Sequence, residues 1–163
     1  MNSELSVNFI KKLEVLQNIL IESDNEQTFG ESNEEGTYGD GKNLVNNEHF
    51  PITNNFSDGL YMRQMKMKAG SVVISAIHHT NHFWFLLSGK VILQADNETV
   101  EHIAPCWSYS LKGTKRLIKC VEDCVWINII ANPTDTKNME DIENNFFSIT
   151  MEEYNKKEKL WQE

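Results

Sequence analysis

Two histidines four residues apart, His78 and His82, are the side chains in this sequence best suited to binding a metal ion. They flank the polar tripeptide His79-Thr80-Asn81, which separates a β-branched run from an aromatic run and is typical of a hairpin turn. Side chains paired across the base of such a turn leave the same face of the sheet, with β-carbons about 4.5–5.5 Å apart. Because neutral imidazole binds several transition metals, the spacing predicts a site for a divalent transition metal.

The histidine pair needs further ligands, because two imidazoles alone do not make a stable site. The side chains that could complete it lie later in the chain: Glu101, His102 and Cys106. The alternative is that His78 and His82 form a hairpin-end pair hydrogen-bonded to neighbouring groups. His79 is expected to point the other way, into solvent.

Cys120 and Cys124 are a second candidate for metal binding, since two thiolates and a nearby histidine could hold zinc. The alternative is that both are ordinary strand residues. The sequence contains no recognisable nucleophile with its base and orienting group, and no glycine-rich phosphate loop follows a strand. We therefore predict no catalytic residue, and the sequence favours a protein that is not an enzyme.

Aromatic side chains are concentrated in the same part of the chain and could line a small-ligand pocket inside a barrel. The predicted pocket-lining residues are Phe83, Phe85, Trp107, Tyr109 and Trp126. Because alternate residues of a strand face opposite sides, about half of such a set must face inward. Filling the core is the default alternative for these rings.

The composition excludes several classes of protein. The 163 residues suit one domain with a sizeable core, and the formal net charge of −9 argues against nucleic-acid binding, which needs clustered Lys and Arg. The densest basic group is interpreted as a solvated turn: Lys112, Lys115 and Arg116. No apolar run reaches the roughly 18 residues of a membrane span, and the amino terminus lacks a secretory-signal pattern. The three cysteines form no disulfide pattern and are expected to be reduced.

The elements that must position these side chains are short strands separated by turn residues. The predicted strands cover residues 60–67, 71–77, 83–87, 91–95, 99–103, 106–111, 116–120 and 125–130. Closely spaced strands without helices between them indicate an antiparallel sandwich or barrel and not βαβ units. The sequence therefore predicts an all-β body.

Segments of a different kind flank the strands. Residues 4–22 place apolar side chains at helical spacing, which predicts a helix packed on the chain's own sheet or on a second subunit. Residues 23–48 are acidic and contain four glycines, which predicts a linker or a surface-laid arm. The predicted organisation is a helix over 1–22, an arm over 23–57, a sandwich over 58–131 and a helical tail over 132–163.

The tail contains two further helix signals. Residues 138–147 predict a short helix that buries Met139, Ile142 and Phe146. The pattern from Thr150 to Glu153 matches a capping box, so another helix is expected to start there. Such short helices need a docking surface, because they are marginal alone.

The order of residues around the histidines resembles the first sequence motif of the cupin superfamily. That motif runs glycine, a His-x-His pair, a glutamate and a second glycine, and the matching positions here are Gly70, His78, His82 and Gly89. His82 stands where the family has its glutamate, and Ala76 stands at the first histidine. In the second cupin motif only the proline is kept. The resemblance implies a cupin-type jelly-roll β-sandwich that lacks several of the family's metal ligands.

A closer resemblance is to small cupin-like proteins encoded by tailed bacteriophages. It covers roughly residues 60–145 and rests on an ordered set of segments: His78-His79-Thr80-Asn81-His82, Ala104-Pro105, Gly113-Thr114-Lys115-Arg116 and Glu122-Asp123-Cys124-Val125-Trp126. That group has a further histidine after the Val-Trp pair, where this chain has Ile129 and Ile130. The resemblance therefore implies that the usual third ligand is absent.

Together these observations predict a non-enzymatic phage cupin-like protein, either virion-associated or a binding module acting on a host protein in the host cytoplasm. The alternative is a metal-dependent cupin enzyme of the dioxygenase or sugar isomerase type that uses His78 and His82. The terminal helices and the sheet edges predict a homo-oligomer, most simply a dimer. Virion or host proteins are further candidate partners, whereas nucleic acid and membranes are not.

Overall fold

Alternating apolar and polar residues between Ile52 and Ala131 build two antiparallel sheets. The computed structural model describes residues 4–22, 31–33, 37–40, 50–95 and 98–161. Its strands are β1 Glu31–Asn33, β2 Thr37–Asp40, β3 Ile52–Ser57, β4 Leu60–Met67, β5 Val72–Ile74, β6 Ile77–His78, β7 His82–Ser88, β8 Lys90–Ala95, β9 Glu98–Ile103, β10 Cys106–Ser110, β11 Leu117–Cys120, β12 Cys124–Ala131 and β13 Phe147–Ser148. Its helices are α1 Glu4–Glu22, α2 Met139–Phe146 and α3 Met151–Leu160.

The two sheets enclose a common core. The larger sheet has the strand order β10-β7-β12-β4-β3 and the smaller has β5-β11-β8-β9. Met65, Trp84 and Trp126 of the larger sheet pack in one buried cluster with Val73 and Ile118 of the smaller. The predicted fold class, an all-β antiparallel jelly-roll sandwich with peripheral helices, is confirmed.

The segment around the two histidines is not the predicted hairpin. β5 pairs with β11 in the smaller sheet, whereas β7 pairs with β10 and β12 in the larger. β6 pairs with β13 near the end of the chain, which puts His78 opposite Phe147. His79-Thr80-Asn81 therefore connects strands of different sheets. The hairpin prediction was wrong because polar turn residues serve equally in a tight hairpin and in a connection between strands of different sheets, here the two-stranded sheet β13-β6 and the larger sheet.

The tight turn between β7 and β8 depends on Gly89. Its φ is +82°, and a β-carbon there would lie 2.3 Å from the Asp123 carbonyl oxygen and 2.8 Å from Cys124 Sγ. Gly70 has a similar φ of +85°, but nothing lies within 4 Å of its missing β-carbon. Both glycines of the cupin-like motif thus occupy the left-handed region, and Gly89 is in addition closely packed.

The amino-terminal helix α1 packs on its own chain, which is one of the two positions that its pattern allows. Phe9, Ile10 and Leu13 are buried on one face. From the same helix, Gln17 Oε1 accepts a hydrogen bond of 2.8 Å from Lys115 Nζ. These contacts join α1 to the loop that precedes β11.

Both predicted helices of the tail are present, and the second begins at the predicted capping box. The Asn138 side chain accepts hydrogen bonds from the first turn of α2, and the Thr150 side chain accepts one from the Glu153 backbone N–H. The side chains predicted for the buried face of α2 pack against Tyr61 and Ile130 in a second cluster: Met139, Ile142 and Phe146.

The predicted acidic arm lies largely outside the described residues, which include only β1 and β2 from residues 23–48. These two strands pair with each other. β3 belongs to the larger sheet, so the sandwich begins before the predicted boundary at residue 58. None of the helices within the described ranges is long and apolar enough to cross a membrane.

Candidate functional site

His78, at the end of β6, and His82, at the start of β7, meet inside the sandwich. Their Nδ1 atoms are 3.0 Å apart, and the two rings stack with centroids 3.9 Å apart and planes inclined by 28°. Their exposed fractions are 8% and 6%. The structure therefore brings the two predicted metal-site residues together, although not across a hairpin.

The hydrogen bonds of the pair fix its tautomers. His82 Nδ1 also lies 3.3 Å from the Thr80 carbonyl oxygen, which can only accept. We therefore assign the proton to His82 Nδ1, which leaves His78 Nδ1 as an acceptor and places the His78 proton on Nε2. Burial lowers the pKa of His82 to about 4. Burial, aided by His82 and Arg116, lowers the pKa of His78 well below 6.5, so both rings are neutral at neutral pH.

A cavity of about 60 Å³ lies beside the histidine pair and between the two sheets. Its polar lining comes from seven side chains: Arg63, Ser75, His78, His82, Thr114, Arg116 and Asn128. Two arginines thus belong to the lining, and among the described residues that line the cavity none is an Asp or a Glu. The site is small and is lined by basic, polar and apolar residues.

Arg63 is held in the cavity wall by neighbours from three elements. Its Nε donates to the Tyr61 hydroxyl at 2.7 Å, and its terminal nitrogen pairs with the Glu143 carboxylate of α2. Its guanidinium also lies 4.9 Å from the centre of the Phe147 ring. Although burial opposes the charge, Glu143 raises the pKa of Arg63, so this cation is both fixed and compensated.

Arg116 immediately precedes β11 and lines the cavity. Its terminal nitrogen donates to Ser110 Oγ at 2.6 Å, and its backbone N–H donates to Ser75 Oγ at 3.0 Å. Its positive charge contributes to lowering the pKa of His78 and of His82. The interpretation of the basic group as a solvated turn was wrong here, because Arg116 lines the cavity and Lys115 is fully buried.

The side chains proposed to complete a metal site do not join the histidines. Glu101 pairs with Lys90 at 2.9 Å, and the His102 ring packs edge-on against Trp84. Within the described ranges no three His, Cys, Asp or Glu side chains lie together as a metal site requires. Two hydrogen-bonded imidazoles beside two guanidinium groups do not fit the donor set of a divalent cation.

Four of the five predicted pocket aromatics lie on the outer face of the larger sheet, which corrects the prediction for Phe83, Phe85, Trp107 and Tyr109. Tyr109 pairs with Phe83 and Trp107 with Phe85 across β10 and β7. The reason is the two-residue period of a strand: His82, Trp84 and Leu86 face inward, so the residues between them face outward. The exposed fractions are 45% for Phe83, 62% for Trp107 and 49% for Tyr109.

Trp126 is the predicted pocket aromatic that lines the cavity. Its indole stacks on that of Trp84 with centroids 4.4 Å apart, and its Nε1–H donates to Asn128 Oδ1 at 3.0 Å. This hydrogen bond joins two lining residues, so the indole N–H is sensitive to what enters the cavity.

His79 is buried and not solvated, so that expectation was wrong. Its Nδ1 lies 2.9 Å from a Glu158 carboxylate oxygen and its Nε2 lies 2.8 Å from Ser148 Oγ. The rings of Tyr154 and Trp161 pack against it. Helix α3 covers this side of the sandwich. The residues near His79 cannot predict this contact, because α3 lies more than 70 residues later in the chain.

The two cysteines of the second candidate site are buried free thiols. Cys120 Sγ lies 3.7 Å from the Met67 sulfur. Burial raises the pKa of Cys120 to about 12, which disfavours the thiolate that zinc needs. Both residues serve here as core residues of β11 and β12.

Neither a protein-family model nor a curated protein matches this chain. Several solved structures resemble it in fold. KdgF from Halomonas sp. is 11% identical, with a TM-score of 0.47 over 53% of this chain and 82% of that one. An RmlC-like cupin family protein with a double-stranded β-helix fold from Methanocaldococcus jannaschii is 12% identical, with a TM-score of 0.46 over 54% of this chain and 85% of that one. The likeness concerns fold alone.

Proposed function

We propose that this chain is a non-enzymatic binding module that docks onto a protein through the outer face of β7 and β10. The observation that carries the proposal is the aromatic patch, which we define as Phe83, Phe85, Trp107 and Tyr109. The Phe83 ring lies 5.9 Å from that of Trp107 and 5.5 Å from that of Tyr109. Large contiguous exposed apolar patches are uncommon on monomeric proteins and mark interaction sites.

The position and composition of the patch suit a protein partner. β10 is an edge strand of the larger sheet, and neither β7 nor β10 contains an Asp, Glu, Lys or Arg residue. Depletion of charge with enrichment in Trp, Tyr and Phe is the signature of the buried centre of an interface. In a chain with a net charge of −9, such an uncharged aromatic surface is the part best suited to contact.

The simplest occupant of the patch is a second copy of this chain. A two-fold arrangement would place both patches and both edge strands against each other, as isologous interfaces do. This occupant agrees with the homo-oligomer that the sequence predicts. The resemblance to phage cupin-like proteins supports placing the assembly in a virion or on a host protein.

Light scattering on the full chain tests the occupant. The chain mass is 18.9 kDa, so a dimer should give twice that value at micromolar concentration. The double variant Trp107→Ser with Tyr109→Ser should return the mass to that of one chain. The matched control is Ile103→Ser, which removes an equally exposed apolar side chain from β9 in the other sheet and should stay dimeric.

A single-chain mass for the wild type would exclude the second copy and would leave a virion or host protein as the partner. Mass spectrometry of purified virions then tests the virion role, and co-purification with host proteins tests the host role. Absence from virions together with no host protein retained by the wild type but lost in the double variant would overturn the proposed function.

The rival function is a metal-dependent enzyme of the dioxygenase or sugar isomerase type using His78 and His82. Elemental analysis of protein purified without chelator decides this point. Less than about a tenth of an equivalent of Fe, Mn, Ni or Zn excludes the rival.

A further inference from the structure

We infer that Met67, Cys120 and Cys124 bind one soft monovalent metal ion, copper(I), through their three sulfur atoms. The site lies in the core, beside the turn between β11 and β12. The inference goes beyond the docking function and is independent of it, because no residue of the aromatic patch belongs to the site. Each proposal can fail without the other.

Three different strands bring the sulfur atoms together. Met67 ends β4, Cys120 ends β11 and Cys124 begins β12. Met67 and Cys124 are direct partners in the register of β4 and β12, and both belong to the buried core. Side chains of such a pair have β-carbons about 4.5–5.5 Å apart. Cys120 Sγ completes the cluster at 3.7 Å from the Met67 sulfur.

The spacing of these sulfurs is that of ligands around one metal ion. With metal–sulfur bonds of about 2.3 Å, two sulfurs at a trigonal angle of about 120° lie about 4.0 Å apart. The 3.7 Å between Cys120 Sγ and the Met67 sulfur is close to this value. The thiols of Cys120 and Cys124 are also hydrogen-bonded to each other. Each member of the cluster is therefore a neighbour of the other two.

The burial of the cluster determines which charge it can accept. All three side chains are almost inaccessible to solvent, and a net charge in such a place is costly. Burial raises the pKa of both thiols, and the hydrogen bond between them raises the pKa of Cys120 further while it opposes the rise at Cys124. Cys124 therefore loses its proton first. Its S–H bond breaks, an S–Cu bond forms and the proton passes to solvent, so that one thiolate neutralises one monovalent cation.

Copper(I) fits this cluster where zinc does not. Soft thiolate and thioether ligands select copper(I), whereas structural zinc is almost always held by four ligands. Neutralising Zn²⁺ would also require a thiolate at Cys120, whose pKa burial raises to about 12. Three sulfurs with one thiolate therefore meet the needs of the monovalent ion and not those of zinc. The sequence pattern of the two cysteines does not reveal the third ligand, because Met67 precedes Cys120 by 53 residues.

A surface pocket leads to the cluster. Its volume is about 260 Å³, and Met67 and Cys124 are among its lining residues. On its exposed side Lys68 Nζ lies 2.8 Å from an Asp123 carboxylate oxygen, and both side chains are more than 60% exposed. Such an exposed ion pair is weak and does not close the pocket. The pocket therefore gives a bare ion, which is smaller than any alkylating reagent, a route to two of the three sulfurs.

The test is copper binding by the full chain in anaerobic buffer. Copper(I) is added as its acetonitrile complex to the folded protein in the presence of millimolar glutathione, which competes with any isolated thiol. Elemental analysis after desalting should give one equivalent of copper. X-ray absorption should show three sulfur ligands at about 2.3 Å and no nitrogen ligand.

A matched pair of methionine variants locates the third ligand. Met67→Leu keeps the side-chain volume and removes the sulfur. It should weaken copper binding by at least about tenfold, a loss that even the removal of an outer-shell partner causes. Met65→Leu makes the same change two residues earlier on the same face of β4, where Ile52 and Trp126 are the strand partners, and should keep the wild-type affinity. The glutathione concentration that removes half of the copper measures each affinity.

The cysteines have their own control. Cys124→Ala should lose the copper, because the thiolate that neutralises the ion is gone. Cys106→Ala removes the half-buried thiol of β10, which pairs with Leu86 outside the cluster, and should keep one equivalent. If circular dichroism shows that Cys124→Ala does not fold, the methionine pair decides the question, because exchange of Met for Leu is well tolerated in cores.

Three results would overturn the inference. The first is a folded wild type that retains less than about half an equivalent of copper after desalting. The second is equal affinity in wild type and Met67→Leu, or an equal loss in Met65→Leu. The third is loss of the copper in Cys106→Ala, or a nitrogen ligand in the X-ray absorption spectrum, since either would place the ion elsewhere.

Discussion

At the scale of the residue, the main property of the pair His78 and His82 is that both rings remain neutral at neutral pH. Two imidazoles with Nδ1 atoms 3.0 Å apart share one hydrogen bond when both are neutral. Protonating either ring would turn an acceptor into a donor and place a charge beside Arg116 in a buried site. The two histidines therefore add no charge to the cavity lining, and their ring N–H groups remain hydrogen-bond donors.

This arrangement predicts a loss of stability in mild acid. The folded-state pKa of His82 is about 4, below the ordinary value of 6.5, so the unfolded chain binds more protons between these values. The free energy of unfolding should therefore fall as the pH falls through this window, by about 2 kcal/mol at pH 5 and about 3 kcal/mol at pH 4 from His82 alone. Urea unfolding at pH 7, 6, 5 and 4 measures the fall.

The matched comparison is His82→Asn, which removes the titrating group and keeps a polar side chain of smaller size. We expect a shallower pH dependence between pH 6.5 and 4 in this variant. Parallel curves for the two proteins would show that His82 is not the group responsible.

At the scale of the element, Lys115 is the residue that joins α1 and the tail to the sandwich. Its ammonium group is fully buried and donates to Gln17 Oε1 of α1 at 2.8 Å and to the Ile149 carbonyl oxygen at 2.6 Å. Burial lowers its pKa to about 8, against an opposing contribution from Glu14 and Glu153. One side chain therefore fixes the positions of two peripheral elements at once.

The lowered pKa predicts a gain of stability in mild alkali. Above pH 8 the folded chain releases the Lys115 proton before the unfolded chain does, so the unfolded state binds more protons and stability rises with pH. Relative to Lys115→Met, the wild type should gain about 2 kcal/mol in free energy of unfolding between pH 7 and pH 9.5. A difference between the two proteins that stays constant over this range would contradict the assignment.

The turn between β7 and β8 supplies a second prediction at this scale. Gly89→Ala should cost more than about 3 kcal/mol, because its β-carbon would meet the Asp123 carbonyl at 2.3 Å in addition to the strain of a positive φ. Gly70→Ala is the control, since it has the same kind of φ with open space around it and should cost about 1 kcal/mol. Chemical unfolding measures both, and equal costs would refute the role of the close contact.

At the scale of the whole molecule, charge and apolar surface oppose each other in self-association. Each chain carries a net charge of −9, so two copies repel at low ionic strength. The aromatic patch contains no charge, and its contribution is not weakened by salt. Raising the salt should therefore tighten a dimer that forms through this patch.

Sedimentation equilibrium at low and high sodium chloride measures this effect. Between roughly 20 and 500 mM salt the Debye length falls from about 20 Å to about 4 Å, so most of the repulsion is removed and the dissociation constant should decrease. A dissociation constant that increases with salt would indicate an interface held by ion pairs, which the aromatic patch does not contain.

Sequence reasoning succeeds where the cause of a structure is local. The apolar spacing of α1, the capping box at Thr150 and the alternation in the strands all act within a few residues, and each is confirmed. The closeness of His78 and His82 also follows from their short separation along the chain.

The same reasoning fails where a distant segment decides the outcome. β13 replaces β7 as the partner of β6, and α3 buries His79; both lie about 70 residues later in the chain. The salt bridge from Arg63 to Glu143 spans 80 residues. The aromatic patch faces outward because Trp84 faces inward. The sequence of the strand does not show which of its two faces is buried until the pairing of the sheets is known.

The buried cysteines allow the rate at which the two sheets separate to be measured. Cys120 belongs to the smaller sheet and Cys124 to the larger, and both are almost inaccessible, whereas Cys106 on the edge strand is half-buried. An alkylating reagent attacks a thiolate that it can reach. Iodoacetamide should therefore modify Cys106 first, and the other two thiols should react together at the rate at which the two sheets separate. Mass spectrometry of the alkylated protein would therefore measure how fast the two sheets separate, and no label needs to be added to the sequence.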